Sequence, residues 1–206
     1  MYKRQVIYAG QGIHYAKAWK ELKELAEQWN IPVTTSIEGK SAFPEDHPLS
    51  LGSGGRANSR PVKRYLEESD LILGLGVSFA LTAFGVPMPP GKKIIHATLD
   101  PMDLNKDVPA DIGLIGDAKL TLAALNSELS NADNSKAAAR ADEPEKISQL
   151  KEEWMQEWLP KLTNNEAPIN PYRVVAELNQ LVDKEKVVIT HDAGSPRDQI
   201  TPFWES

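Results

Sequence analysis

Three glycine-bearing corners follow directly on apolar, strand-like runs. They are Gly10-Gln11-Gly12 after Val6-Ile7-Tyr8-Ala9, Gly74-Leu75-Gly76 after Leu71-Ile72-Leu73, and Gly116-Asp117 after Leu114-Ile115. In a parallel α/β sheet the carboxyl ends of all strands open on one edge, so small corners repeated there bring backbone N–H groups within reach of a phosphate or a nucleotide. The same glycines also suit tight strand-to-helix turns and close packing, and both readings stand on the sequence alone.

The segments between the corners alternate in period. Tyr15, Ala18, Trp19, Leu22, Leu25, Ala26 and Trp29 recur at helical spacing with Lys and Glu on the other face, which predicts a helix lying on a sheet. Ile31 to Ser36 is short and β-branched and reads as a buried strand, followed by a long turn through Gly39, Pro44, Pro48 and Gly52 to Gly55. Ser59-Arg60-Pro61 starts a helix with Val62, Tyr65 and Leu66 inward, and the strands Leu71 to Leu75, Lys93 to Leu99 and Asp111 to Ile115 follow. A helix from Asp117 carrying Leu120, Ala124, Leu125 and Leu129 closes the unit. Such alternation means βαβ crossovers and a mostly parallel, Rossmann-like α/β sheet with helices on both faces, over residues 1–130.

Residues 131–165 change character: a polar, Ala-rich stretch leads to a charged helix whose narrow stripe of Ile147, Leu150, Trp154 and Trp158 suits docking on another surface. Residues 166–206 begin a further unit, with a helix from Pro171 through Leu181 and a buried strand Lys186 to Thr190. An apolar parallel strand needs neighbours on both edges, yet only residues 191–206 follow it, so the chain is expected to stop inside a domain.

Composition excludes several classes of partner. A net charge of −6 with scattered Lys and Arg argues against a nucleic-acid surface, and no apolar run approaches a membrane span. No cysteine is present, which rules out disulfides and thiolate metal sites and agrees with a cytoplasmic protein. The four histidines show no metal-ligand spacing.

Several motifs stand in a recognisable order: Val6-Ile-Tyr-Ala-Gly-Gln-Gly12, Ile31-Pro-Val-Thr-Thr-Ser-Ile-Glu-Gly-Lys40, His47-Pro-Leu-Ser-Leu-Gly-Ser-Gly-Gly55, Ser69-Asp-Leu-Ile-Leu-Gly-Leu-Gly-Val-Ser-Phe79 and Ile115-Gly-Asp-Ala118. Together they resemble the central domain of thiamine diphosphate enzymes of the acetolactate synthase type, and Ile169 to Ser195 resembles the opening of that family's pyrophosphate-binding domain. The resemblance implies thiamine diphosphate and Mg2+ in a full-length carboligase or decarboxylase of 2-oxo acids. Its pyrimidine- and pyrophosphate-binding domains would be partners within the same protein, which would form a homodimer or homotetramer. The activating glutamate of the first domain and the Gly-Asp-Gly metal motif of the third have no counterpart here, so the chain alone is expected to be inactive.

In the family, the central domain's edge holds FAD, ADP or nothing. Gly10, Gly12, Ser36, Gly52, Gly76, Val77, Gly116 and Asp117 stand at or near flavin-contacting positions. Against them, Ser78, Ala80 and Thr82 replace an Arg, an Asp and an Arg, and each lost charge-assisted hydrogen bond to phosphate is worth about 1.5–3 kcal/mol. Asp100 follows a strand, where it could meet a ribose hydroxyl, although Asp-Pro is also a turn signal, and Asp117 equally suits a helix N-cap. Ala193, Gly194 and Ser195 match the turn that offers N–H groups to the cofactor diphosphate, although Pro196 has none to give. Two other readings remain open: a stand-alone NAD- or ADP-binding module, and a scaffold that binds no ligand.

Overall fold

The structure, a computed structural model, describes residues 4–133 and 135–206. Its centre is a six-stranded, all-parallel sheet in the order β3-β2-β1-β4-β5-β6, built from β1 (Gln5–Ala9), β2 (Val33–Thr35), β3 (Ser50–Ser53), β4 (Leu71–Leu75), β5 (Lys93–Thr98) and β6 (Ile112–Ile115). Ile7 pairs with Val33 on one side and Leu73 on the other, so the first strand of the chain lies inside the sheet. Strands buried on both faces read as continuous apolar runs, which is why Val6, Ile7, Tyr8 and Ala9 are all buried.

Helices cover both faces. Helix α1 (Gly12–Ala16) and α2 (Trp19–Trp29) pack on α4 (Ala118–Ser130), and α3 (Arg60–Glu68) packs on the long α6 (Glu143–Leu162). A single helix from Tyr15 to Trp29 does not form. Lys17 adopts a left-handed conformation (φ 52°) that ends α1, so the helical register restarts at Trp19. Tyr15 is 81% exposed, and Trp19 instead donates its indole N–H to His14 Nδ1. Restarting the register also explains why Ala18, Leu22, Leu25, Ala26 and Trp29 form the buried stripe while Tyr15 and Trp19 stay out of it. On α4 the residue driven into the core is Leu122, and the expected Leu120 is exposed.

Three further expectations are corrected. Ser50–Ser53 is a strand and not part of a turn: its ladder to β2 outweighs the poor β propensity of Ser and Gly. Gly74 lies inside β4 and not in a corner, where it leaves room for the Phe79 ring that a Cβ would strike. The run Val187 to Thr190 forms no strand, because no neighbour offers it a ladder among the described residues, and Val188 is 92% exposed.

Beyond the sheet, α5 (Ser135–Ala138) and Arg140 close the end of α2: Asn30 donates to the Ala137 carbonyl, and the Arg140 guanidinium donates to the Trp29 carbonyl and to Gln5 Oε1. The stripe on α6 packs with Ile147 in the main core and Trp154 in a second aromatic cluster. There Trp154 stacks on Phe203 at 4.9 Å, with Trp158 and Tyr172 around them, joining α6 to α7 (Pro171–Leu181) and to the segment after α8 (Ser195–Ile200).

Packing at the corners generates the first prediction. A Cβ on Gly10 would lie 2.6 Å from the Val77 Cα and closer still to the Gly76 carbonyl, backbone that cannot retreat, whereas a Cβ on Gly91 meets nothing within 4 Å and only its φ of +76° opposes substitution. Gly10→Ala is expected to cost stability at or beyond the upper end of the roughly 1–3 kcal/mol of overpacking, and Gly91→Ala about 1 kcal/mol, as measured by urea denaturation. A second prediction concerns Asp111 at the sheet edge. A hydrogen bond from Lys93 Nζ (2.6 Å), then one from the Ile94 N–H (2.9 Å), hold its carboxyl below the usual aspartate value. A carboxyl depressed in the folded state stabilises above its unfolded pKa and loses that contribution as pH falls. Asp111→Asn should therefore lower the denaturation midpoint at neutral pH, with the difference closing as pH drops through the carboxylate range.

Candidate functional site

The strand order reverses between β1 and β4, and in open α/β sheets ligands bind outside the carboxyl ends of the strands at such a switch point. A crevice of about 130 Å3 lies there, lined among others by Tyr8, Gly10, Gln11, Ser36, Glu38 and Val77. Gly12 and Gly76 pack against one another beside it: a Cβ on Gly12 would lie 2.7 Å from the Gly76 Cα, and Gly76 takes a left-handed φ of +59°. The structure thus brings Gly10, Gly12, Ser36, Gly76 and Val77 together.

It does not gather the remaining positions. Gly52 sits in β3 on the far side of β2. Asp100 and the pair Gly116 and Asp117 lie at the ends of β5 and β6, beyond β4 from the crevice. Asp100 accepts from the Met102 N–H (2.9 Å) and caps a short 3-10 turn, and Asp117 caps α4 by accepting from the Lys119 and Leu120 N–H groups (2.9 and 3.0 Å). Local backbone bonding therefore engages both carboxylates. Ala193, Gly194 and Ser195 form an exposed turn, with Gly194 at φ +80° as the residue preceding α8. The Ala193 N–H donates to Asp192 Oδ1, and the Arg197 guanidinium pairs with Asp198 and lies over the Phe84 ring at 4.3 Å.

A dinucleotide fits this crevice poorly. The glycine N–H groups that would meet a phosphate already donate within the fold: Gly10 to the Leu75 carbonyl, Gly12 to the Gly76 carbonyl and Gly76 to the Ala97 carbonyl, each at 2.9 Å, and Gly116 to the Thr98 carbonyl at 3.0 Å. Glu38 is the one charged side chain on the lining, and its charge adds to burial in pushing the Tyr8 hydroxyl pKa up. A phosphate there would meet an acid and no cation. Phe79 occupies the interior wall, stacked on Tyr8 at 5.7 Å and edge-on to His96 at 4.8 Å. The open volume is also well below the roughly 300–1,000 Å3 of small-molecule sites. Sequence reasoning missed Tyr8, which reads as an ordinary strand residue, and Phe79, because nothing in the turn after β4 signals that its ring folds back onto the sheet. Glu38 was visible only as an acid just past the second strand.

Among the described residues no group of His, Asp or Glu side chains could hold a metal ion, and no helix is long and apolar enough to cross a membrane. Adding FAD or ADP to the purified chain should give no saturable heat by calorimetry up to millimolar nucleotide. Stoichiometric binding would contradict the crevice geometry.

Comparison with known proteins follows the same lines. Residues 2–125 match the family model for the thiamine pyrophosphate enzyme central domain. The "Probable acetolactate synthase large subunit" of Methanococcus aeolicus is 34% identical over 99% of this chain and 35% of its own length. The protein of the same name from Methanocaldococcus jannaschii is 32% identical over 99% of the chain and 34% of its length. An "Acetolactate synthase large subunit" from Buchnera aphidicola is 40% identical over 58% of the chain and 21% of its length. The chain spans about a third of the length of the two archaeal relatives. With a parallel switch-point sheet in place and the family model covering more than half of its residues, the chain belongs to the thiamine pyrophosphate enzymes, as their central domain with the segment that follows it.

Proposed function

We propose that this chain is the central part of a thiamine diphosphate-dependent carboligase or decarboxylase of 2-oxo acids, of the acetolactate synthase type, working in the cytoplasm. The observation that carries this reading is that the similarity to an acetolactate synthase large subunit runs through 99% of the chain, past the central domain and into the segment after it. When bound, thiamine diphosphate supplies the nucleophile for the keto carbon and the electron sink for loss of CO2.

The part assigned to these residues is bracing and orientation. Gly194 and Ser195 present an exposed turn whose N–H groups suit an anionic oxygen, with the left-handed Gly194 opening the backbone there. The ligands for Mg2+ and the group that activates the cofactor would come from the pyrimidine- and pyrophosphate-binding domains, and the complete protein would form a dimer or tetramer. At the switch point, engaged glycine N–H groups and the lone Glu38 favour a brace that binds no nucleotide over a stand-alone NAD- or ADP-binding module.

The purified 206-residue chain, given pyruvate, thiamine diphosphate and Mg2+, is expected to release no CO2 above the rate without protein. Measurable turnover would overturn the assignment of a bracing role. In a protein that carries the flanking domains, 2-oxo acid turnover should require thiamine diphosphate, and activity without it would overturn the proposed chemistry.

A further inference from the structure

Lys40 and Glu45 form a largely buried ion pair outside the crevice. Lys40 Nζ lies 2.5 Å from Glu45 Oε2 and directs its other hydrogen bonds to main-chain carbonyls of a distant segment, Trp204 at 2.7 Å and Thr201 at 3.4 Å. Glu45 accepts from Ser53 Oγ at 2.6 Å and from the Ser206 N–H at 3.0 Å, while its own N–H donates to the Ser206 carbonyl at 2.9 Å. Asn179 Nδ2 takes the Phe203 carbonyl at 2.6 Å, and Lys151 Nζ takes the Glu45 carbonyl at 3.2 Å. Burial pushes the Lys40 ammonium pKa down and Glu45 opposes it, so the carbonyl acceptors complete the solvation of a cation withdrawn from water.

Two features make this more than a stabilising pair. Its partners in residues 201–206 are backbone atoms apart from the Ser206 hydroxyl, so what it fixes is the path of the chain. That path also joins α8 with no intervening loop, because the Thr201 N–H donates to the Arg197 carbonyl and the Phe203 and Trp204 N–H groups to the Ile200 carbonyl. Helix α8 has six residues, about 9 Å at 1.5 Å per residue, and its other end is the Ala193–Ser195 turn.

We propose that Lys40 and Glu45 act as a main-chain clasp by which the nucleotide-fold unit holds residues 201–206 and, through α8, sets the position of the Ala193–Ser195 turn. Lys40 and Glu45 are positioning residues in this arrangement. Its functional meaning rests on the reading of that turn as an anion contact. On the other side the clasp reaches the switch point, since Lys40 lies in the loop that starts at Ser36, with the Gly39 N–H bonded to Ser36 and the Lys40 carbonyl accepting from His14 Nε2. The occupant of the clasp is this chain's own segment, held also by Phe203 in the aromatic cluster.

Amide hydrogen exchange on the 206-residue chain tests the clasp. In Lys40→Met and Glu45→Gln, exchange at 201–206 and in step at 194–200 should rise ~tenfold or more while β1 and β4 keep the parent rates. Asn179→Leu, which leaves the ion pair intact, should show the same pattern with a smaller rise. Unchanged exchange at 194–200 in the ion-pair variants overturns the proposal. Should those variants fail to fold, Asn179→Leu decides it by the same criterion. Exchange is read with no cofactor present, so failure of the clasp is distinguishable from failure of the functional reading, which is decided by turnover in the longer protein.

Discussion

Backbone lies directly on backbone where the corner after β1 meets the corner after β4. Gly10, Gly12 and Gly76 approach so closely that no side chain fits at any of the three, and the Gly12 N–H closes the contact by donating to the Gly76 carbonyl. This contact fixes the spacing of the two central strands and the entry of α1, and through α1 and α2 the cover on one face of the sheet. It also consumes the donors that a nucleotide-binding corner would present. The same three residues that make the fold possible thus remove the most direct route to phosphate binding.

The molecule is held together by two kinds of contact. The sheet and its helices form a continuous apolar core in which shape decides, as Gly74 yielding to the Phe79 ring illustrates. Ile147 ties the start of α6 into that core, and the segment beyond it joins through aromatic stacking and through the buried charges of Lys40 and Glu45. Removing one member of a buried pair strands the other charge in a poor solvent, so such a pair specifies where the segment goes even if it adds little net stability.

The parallel sheet was legible because strands buried on both faces must be apolar throughout, and Val6 to Ala9 and Leu71 to Leu75 are. Strand β3 was not, since Ser, Gly and Ser carry no strand signature and it forms only because β2 offers a ladder. Val187 to Ile189 shows the reverse, strong local propensity without a partner. The caps at Asp117 and at Asp100 followed from residue type and position. Whether the glycine corners serve packing or a ligand could not be read locally, because it depends on which corner lies opposite which. The clasp was equally invisible: Lys40 and Glu45 look like ordinary surface charges until residues 201–206 fold over them.

Because β1 is an interior strand, it cannot be completed by the segment that follows it in the chain. Its β2 side can pair once residue 35 is available, but its β4 side must wait for residues 71–75 and for Gly76 to close against Gly12. Closing so long a loop before any reward is gained makes such sheets slow to assemble. A nascent chain would therefore carry Val6, Ile7, Tyr8 and Ala9 half-covered through some forty residues of further elongation, the interval in which a chaperone has most to protect.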